Sequence, residues 1–365
     1  MSFETTVTRA WERKALWLWL LLPISWLYGL LITLLQLLYK AGLLSSYRAP
    51  IPVMVIGNIT VGGSGKTPLI IALVQYLQWN KVRIGVISRG YGGDSAQMPA
   101  LVTKGSVPSV VGDEPCLIVN ELGVPMAVCP NRKQAIETLL QAHSDLQLII
   151  ADDGLQHYAL QRDIEWIVVD AARGFGSQQL LPTGFLREPI SRLNDATVIY
   201  HKKPEPVSDD DKLESNQRSK QLTMHLCPDL LYPLWSESKI DQNSAPTAGS
   251  QVHAVSGIGY PQRFFNTLTD LGFEVIAHPY PDHYDFRVTE LLQYTEYPII
   301  ITSKDAVKIR ALFLQAETQT TEWQSLASRL WVLPVTAVLS ESCYQTLNEQ
   351  LKALGILVHD VNDQG

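Results

Sequence analysis

One stretch of this 365-residue chain carries the residue types that hold a phosphate: Gly57-Asn58-Ile59-Thr60-Val61-Gly62-Gly63-Ser64-Gly65-Lys66-Thr67. Glycines let consecutive backbone N–H groups turn inward without Cβ clashes. An apolar run precedes the loop and a helical pattern follows it, so a helix N-terminus adds partial positive charge. In that setting Gly62, Gly63, Ser64 and Gly65 cradle phosphates, Lys66 reaches the β- and γ-phosphates, and Thr67 places its hydroxyl on Mg²⁺. Strict spacing asks for Gly at position 60, where this chain has Thr60. A glycine-rich turn that binds nothing is the plain alternative.

Carboxylates and bases follow downstream. Residues 148–153 read LIIADD, a strand ending in Asp152 and Asp153. Such a strand end is the second half of an ATP–Mg²⁺ site, although Asp before Gly154 also suits a turn. In VVGDEP, Asp113 and Glu114 come just before an expected helix over 116–121. Asp113 can cap that helix or take a proton from an attacking hydroxyl. Asn131-Arg132-Lys133 opens another helix, and two cations there oppose the macrodipole unless an anion is near. A bound phosphate resolves the conflict; two solvated surface charges are the alternative. Asp282 and His283 lie in PYPDHYDF, where His283 can assist proton transfer or steady a carboxylate. His157 is a similar lone loop histidine. Arg187 and Glu188, in LPTGFLREP, suit an acidic substrate group or a surface ion pair.

The elements that must position these residues alternate between strand and helix. Strands are expected at 52–56, 82–87, 146–151, 165–169 and 196–200, with a helix over 67–79. Further strands are expected at 252–256, 274–277, 297–302 and 330–333. Such alternation predicts an α/β fold with a parallel sheet flanked by helices. A polar, charge-rich stretch over 202–221 reads as a linker. The expected units are a membrane-associated helix in 1–45, a P-loop NTPase-type core in 46–215 and a smaller α/β domain in 216–365. The last segment of that domain could pack back on the core. If His283, so far along the chain, acts at the phosphate loop, the second unit has to close over the first.

Composition narrows the class. Residues 15–39 carry no charge and twelve leucines, and as helix would be about 37 Å long, enough to cross a bilayer core. The run is too long for a signal-peptide core. Pro23 should kink it. Ser25, Gly29, Thr33 and Gln36 form a narrow stripe that can face protein while Trp and Leu enter lipid. A spanning anchor, an interfacial helix and a buried core helix all remain open. The net charge of −7 argues against a general nucleic-acid binder. Cys116, Cys129, Cys227 and Cys343 make no CxxC pair, which excludes a disulfide scaffold and fits a reduced cytosolic setting. Nothing calls for an obligate protein partner.

Taken in order, the motifs resemble the tetraacyldisaccharide 4′-kinases, bacterial enzymes of lipid A biosynthesis. The matching pieces are Gly57-Asn58 with the loop from Gly62 to Thr67, SRGYG at 88–92, GDEP at 112–115, Asn131-Arg132, DDGLQH at 152–157, LREP at 186–189, Asp282-His283 and KDAVK at 304–308, together with the N-terminal apolar helix. They run over nearly the whole chain. The resemblance implies transfer of the γ-phosphoryl group of ATP to the 4′-hydroxyl of a tetraacyldisaccharide 1-phosphate, forming lipid IVA. It implies Asp113 as catalytic base, His283 as its partner and Lys66 at the phosphates. It places ATP on the loop with Arg132, Mg²⁺ on Thr67, Asp152 and Asp153 with Gln156 nearby, and the substrate near Tyr91, Arg187 and Glu114. It implies catalytic domains on the cytoplasmic side of the bacterial inner membrane, peripheral or anchored. Ser303 stands where related chains often carry Glu.

The rival is a membrane-attached regulatory ATPase switch without a lipid acceptor. Its loop would carry a signature lysine where this chain has Val61. A GTP-binding switch would need Asn-Lys-x-Asp, and Thr302-Ser303-Lys304-Asp305 has the wrong spacing.

Overall fold

The computed structural model describes residues 13–203, 221–235, 245–315 and 321–358, with Val7, Ala10 and Trp11. Most of the expected linker, 204–220, lies outside the described residues.

A 3-10 turn over Leu16–Leu21 runs into helix α1, Leu22–Lys40. Pro23 sits in the first turn of α1, where its missing N–H costs nothing. The expected kink is thus a change of helix type at the residue before it. The chain then builds a mostly parallel sheet. Strand β1 is Val53–Gly57, α2 is Lys66–Trp79, β2 is Ile84–Ser88 and β3 is Ala100–Val102. The short α3 is Pro108–Val111, α4 is Asp113–Leu122, β4 is Met126–Val128, α5 is Arg132–Ala142 and β5 is Leu148–Asp152. Strands β6 (Ile164–Asp170), β7 (Thr197–His201) and β8 (Thr223–Pro228) follow.

Strand β9, Tyr232–Pro233, then enters a second sheet with β10 (Gln251–Ser256), α6 (Pro261–Asp270), β11 (Glu274–Pro279) and α7 (Val288–Leu292). Strand β12 (Ile299–Thr302), α8 (Ser303–Gln315), α9 (Thr321–Arg329) and β13 (Leu330–Leu333) complete it. The chain returns through β14, Val335–Leu339, and ends its described part with α10, Glu341–Ala353.

The first sheet has the order β14-β8-β7-β6-β1-β5-β2-β4-β3, and the second β11-β10-β12-β13-β9. Only the edges are antiparallel: β3 on β4, β14 on β8 and β9 on β13. Strand β1 lies between β5 and β6 with Val53 opposite Ile149 and Met54 opposite Ile164, and all five of its residues are buried. That is why its sequence is continuously apolar rather than alternating. Leu69, Ile70, Leu73, Val74 and Leu77 of α2 cover one face of the sheet. The carboxyl ends of β1, β2, β5 and β6 share one edge, where open α/β sheets bind ligands.

The expected boundary at 216 needs correction. Strand β8 falls beyond it yet belongs to the first sheet, because its antiparallel partner β14 pairs Val335 with Pro228 and Leu339 with Met224. Cys343, Leu347 and Leu351 of α10 join the same core. The second unit is an insertion between β8 and β14.

The N-terminal helix lies along the first unit. Its apolar window is only 11% buried, although its length and composition suffice to cross a membrane. Ser25 Oγ donates to Thr183 Oγ1 at 2.8 Å and accepts from the Thr183 N–H at 3.1 Å. Tyr28 donates to the Arg187 carbonyl at 3.1 Å, and Gln36 to Glu188 at 3.0 Å and to the Tyr158 hydroxyl at 2.9 Å. A Cβ on Gly29 would meet Leu180 at 2.8 Å. Three members of the expected small-polar stripe thus face protein. Thr33 does not; its hydroxyl turns back to the Gly29 carbonyl in its own helix.

Candidate active site

The loop after β1 wraps a helix start as its glycines predict. Gly62 and Gly65 adopt φ of 96° and 95°, the left-handed region that an L side chain resists. Gly65 caps α2 without a side chain, so the first N–H groups of that helix face the cleft. Asn58, fully buried, fixes the entry by donating to the Thr60 carbonyl at 2.9 Å, and Lys66 donates to Asn58 Oδ1 at 3.0 Å. Asp153 lies 3.4 Å from the same ammonium. With no Gly at 60, Asn58 organises this entry.

Asp152 and Asp153 stand at the end of β5 in different environments. Asp152 is buried, accepts from Ser88 Oγ at 3.2 Å through Oδ2, and keeps Oδ1 without a hydrogen-bond partner among the described residues. Burial raises its pKa, and the neighbouring charges of Glu114 and Asp153 add to that. Burial also works against the Asp153 carboxylate, but the cations Lys66 and Arg187 win and hold it down to about 2. Arg187 reaches both Asp153 oxygens, at 3.1 and 3.3 Å, and Gln156 at 3.4 Å. Gln156 in turn donates to the Asn58 carbonyl and to Glu188. Arg187 is therefore already engaged beside the phosphate loop, and Glu188 is buried with Gln36, Gln156 and Arg192 rather than forming a surface pair.

Arg132 does not sit on the surface. It is buried, with Nη1 donating to the Cys129 carbonyl at 3.0 Å and Nη2 to the Asp152 carbonyl at 3.2 Å. Its charge lies against the strand end that carries the two acids. Asn131 caps the helix by accepting from the N–H groups of Lys133 and Gln134.

Across the cleft, α4 begins at Asp113 itself, with Gly112 as cap at φ 96°. The expected helix start at 116 was late because Asp-Glu-Pro opens it, a favourable first turn for the dipole and for proline. His283, held at a left-handed φ of 57° by its loop, places Nδ1 3.0 Å from both Asp113 oxygens. The residues are 170 apart in sequence, and the helix of the one and the loop of the other belong to units built on different sheets. The Tyr91 ring packs on His283 with centroids 4.6 Å apart. Burial pushes the Asp113 carboxyl up, yet the His283 hydrogen bond and the charges of Lys304 and Lys308 leave it below the ordinary carboxylate range. Glu114 binds Lys304 at 3.0 Å rather than facing open solvent.

Both groups line one cleft of about 2200 Å³ between the units, shared by Gly62, Gly63, Ser64, Gly65, Lys66, Thr67, Tyr91, Glu114, Arg132, Asp152, Asp153, Arg187 and His283. A Cβ on Gly259, from the second unit, would lie 3.1 Å from the Gly63 nitrogen. The two units meet at the phosphate loop itself.

Sequence reasoning missed a second link between the units. Arg263 of α6 pairs with Asp170 at the end of β6 and reaches His201 Nδ1 at 3.3 Å. His201 also lies 3.2 Å from the Ser64 carbonyl of the phosphate loop. No motif marks these residues, since each is an isolated polar residue at a strand end or helix start. The KDAVK segment did carry a signal: Lys304, Asp305 and Lys308 fall on one helix face. Asp305, buried, accepts from the Gly257 N–H at 3.1 Å, and Lys308 lies 3.2 Å from it.

Comparison with known proteins then decides the family. Residues 17–352 match the family described as Tetraacyldisaccharide-1-P 4′-kinase, LpxK. The chain belongs to this family. It is 69% identical over 365 residues to the tetraacyldisaccharide 4′-kinase of Psychrobacter cryohalolentis, covering 98% of each chain. It is 42% identical over 349 residues to that of Actinobacillus pleuropneumoniae, covering 94% of this chain and 99% of the relative. It also resembles the crystal structure of LpxK from Aquifex aeolicus in complex with ATP, with a TM-score of 0.68 and 25% identity, covering 93% of this chain and 99% of that one. As members of one kinase family, these proteins share the phosphate-loop fold described above.

Proposed function

We propose that this chain is a kinase that moves the γ-phosphoryl group of ATP to the 4′-hydroxyl of a tetraacyldisaccharide 1-phosphate, forming the 4′-phosphate of lipid IVA. The observation that carries this reading is the Asp113–His283 pair, 3.0 Å apart, whose His283 lines the cleft that also holds the phosphate loop. A switch ATPase has no use for such a base opposite its phosphates, and the relatives named above are kinases.

Chemically, the depressed carboxyl of Asp113 is ionised at neutral pH and accepts the proton of the 4′-hydroxyl. The hydroxyl oxygen forms a bond to the γ-phosphorus as the bond from phosphorus to the bridging oxygen of ADP breaks, and the electron pair leaves on that oxygen. The proton stays on Asp113, and His283 keeps the carboxylate in place. Lys66 and the N–H groups of the loop and of α2 counter charge on the transferring group, the principal lever in this reaction class. Arg132 adds positive charge behind the strand end.

The acids suit a divalent cation. Asp152 Oδ1 is buried, polar and without a partner among the described residues, a state that is costly unless a ligand satisfies it. Thr67, Asp152 and Asp153 would hold Mg²⁺, which supplies charge neutralisation at the phosphates. Tyr91, Glu114 and Arg187 line the same cleft and would face the sugar.

The length and apolar character of α1 support membrane attachment. Its contacts at Ser25, Tyr28 and Gln36 span about 16 Å of helix axis. Binding along that length to a polar body supports a helix that lies in the interface with its Leu and Trp side chains in lipid rather than one that crosses. On this reading the cleft mouth opens at the cytoplasmic surface of the inner membrane, where an acylated disaccharide resides. ATP turnover by the purified chain should rise with added lipid acceptor and match the lipid phosphorylated; turnover indifferent to the acceptor would overturn the reading.

A further inference from the structure

Lys304, at the start of α8, sits where the two units meet. Its ammonium donates to Glu114 Oε1 of the first unit at 3.0 Å and to Asp282 Oδ1 of the second at 3.3 Å. It also faces His283 Nε2 at 3.3 Å, while Asp113 Oδ2 lies 3.9 Å away. Burial alone would favour the neutral amine, but Glu114, Asp113 and Asp282 outweigh it and keep the group charged well above neutral pH.

An ammonium has three N–H donors and no lone pair. The ring nitrogen that it faces must therefore accept. In a neutral imidazole, acceptance at Nε2 puts the proton on Nδ1. Nδ1 is the nitrogen that lies 3.0 Å from each oxygen of Asp113. A carboxylate can only accept, so the two contacts of the ring require the same tautomer. Protonation at Nε2 would instead set an N–H against the ammonium.

We propose that Lys304 is a positioning residue that sets the tautomer of His283, so that its Nδ1–H donates to Asp113 and the carboxylate stays ionised to receive the acceptor proton. The inference rests on Asp113 being the base. The groups facing the pair are Lys304 from α8, Asp282 from the same loop as His283, the Tyr91 ring and, 3.8 Å from Asp113 Oδ2, Lys308. Because Glu114 also anchors Lys304, the tautomer is set only when the two units are together. The base is thereby readied by the same contact that closes the cleft.

The test uses the full chain with ¹⁵N-labelled histidine. The wild type should show His283 as the Nδ1–H tautomer at neutral pH, and Lys304→Met, which keeps the stem without the charge, should lose that pattern. In steady-state kinetics kcat should fall about 10- to 100-fold, as it does when an orienting partner of a catalytic group is removed, with the KM for ATP within about twofold. The acid limb of the pH profile should move to higher pH, since Asp113 loses one of the cations that hold its pKa down. Lys304→Arg should recover part of both. An Nε2–H tautomer in the wild type would overturn the inference. So would Lys304→Met with the Nδ1–H pattern and wild-type kcat, or one whose kcat loss tracks a fall in melting temperature with no shift of the acid limb. Full activity in Asp113→Asn would instead remove the base reading beneath it, a distinct result.

Discussion

The two sides of the cleft are built differently. The phosphate side comes from one sheet: the loop after β1, the end of β5 and Ser88 at the end of β2, all held by parallel strands in fixed register. The acceptor side is assembled across two sheets, with Asp113 from one and His283 and Lys304 from the other. The phosphate grip is thus a property of a single rigid core. The base is a property of the interface between units. Changes on the first side should weaken nucleotide binding and turnover together, and changes on the second should spare binding and lower turnover.

Lys66→Ala gives the largest expected effect. It removes the ammonium that the loop aims at the phosphates and leaves Asp153 beside them with Arg187 as its cation. Turnover should fall about 10⁴-fold with weakened ATP binding; a loss of turnover with ATP affinity intact would break the contrast between the two sides.

Arg263→Ala tests the interface away from the chemistry. It removes the partner of Asp170, which is buried, and one of the groups on His201. Denaturant unfolding should show a loss of about 2 kcal/mol, with kcat reduced more than the KM for ATP rises. Unchanged kcat would mean that the Asp113–His283 pair forms without this lock.

His201 gives an effect confined to low pH, with a sign that can be checked. Burial, helped by Arg263, lowers its pKa to about 4 from the ordinary value of 6.5. The unfolded chain therefore takes up this proton first as pH falls. Stability from this group is complete above pH 6.5 and is lost progressively as pH drops towards 4, by at most about 3 kcal/mol. His201→Gln should flatten that part of the stability profile, measured by denaturant midpoints; an unaltered slope would remove His201 as its source.

The same contrast explains what the sequence disclosed. The phosphate loop was legible because its chemistry is local: an apolar strand, glycines at the turn and Lys66-Thr67 opening a helix. Asp152 was legible for the same reason, as an acid at a strand end. The links made over long sequence separations were not. Motif order, through family resemblance, singled out both Asp113 and His283, but no spacing rule joins residues 170 apart, and their contact depends on a left-handed turn at His283. The boundary at 216 failed because β8 pairs with β14, more than a hundred residues later, and antiparallel pairing leaves no mark in composition. For Arg132 the sequence left a phosphate-binding cation and a solvated surface charge open, because burial of a guanidinium on carbonyl oxygens depends on where β5 ends, not on the neighbours of Arg132 in the chain. On α1 the polar stripe was legible as a stripe, yet only the fold shows that Ser25 and Gln36 face protein while Thr33 bonds within the helix.

The most direct test of a base assembled between the units is Asp113→Asn, with ATP affinity by calorimetry and formation of the 4′-phosphomonoester by ³¹P NMR measured on the same preparation. ATP should bind as to the wild type while lipid phosphorylation falls about 10³-fold. Phosphorylation at the wild-type rate, or a loss that merely follows lost ATP binding, would contradict such a base.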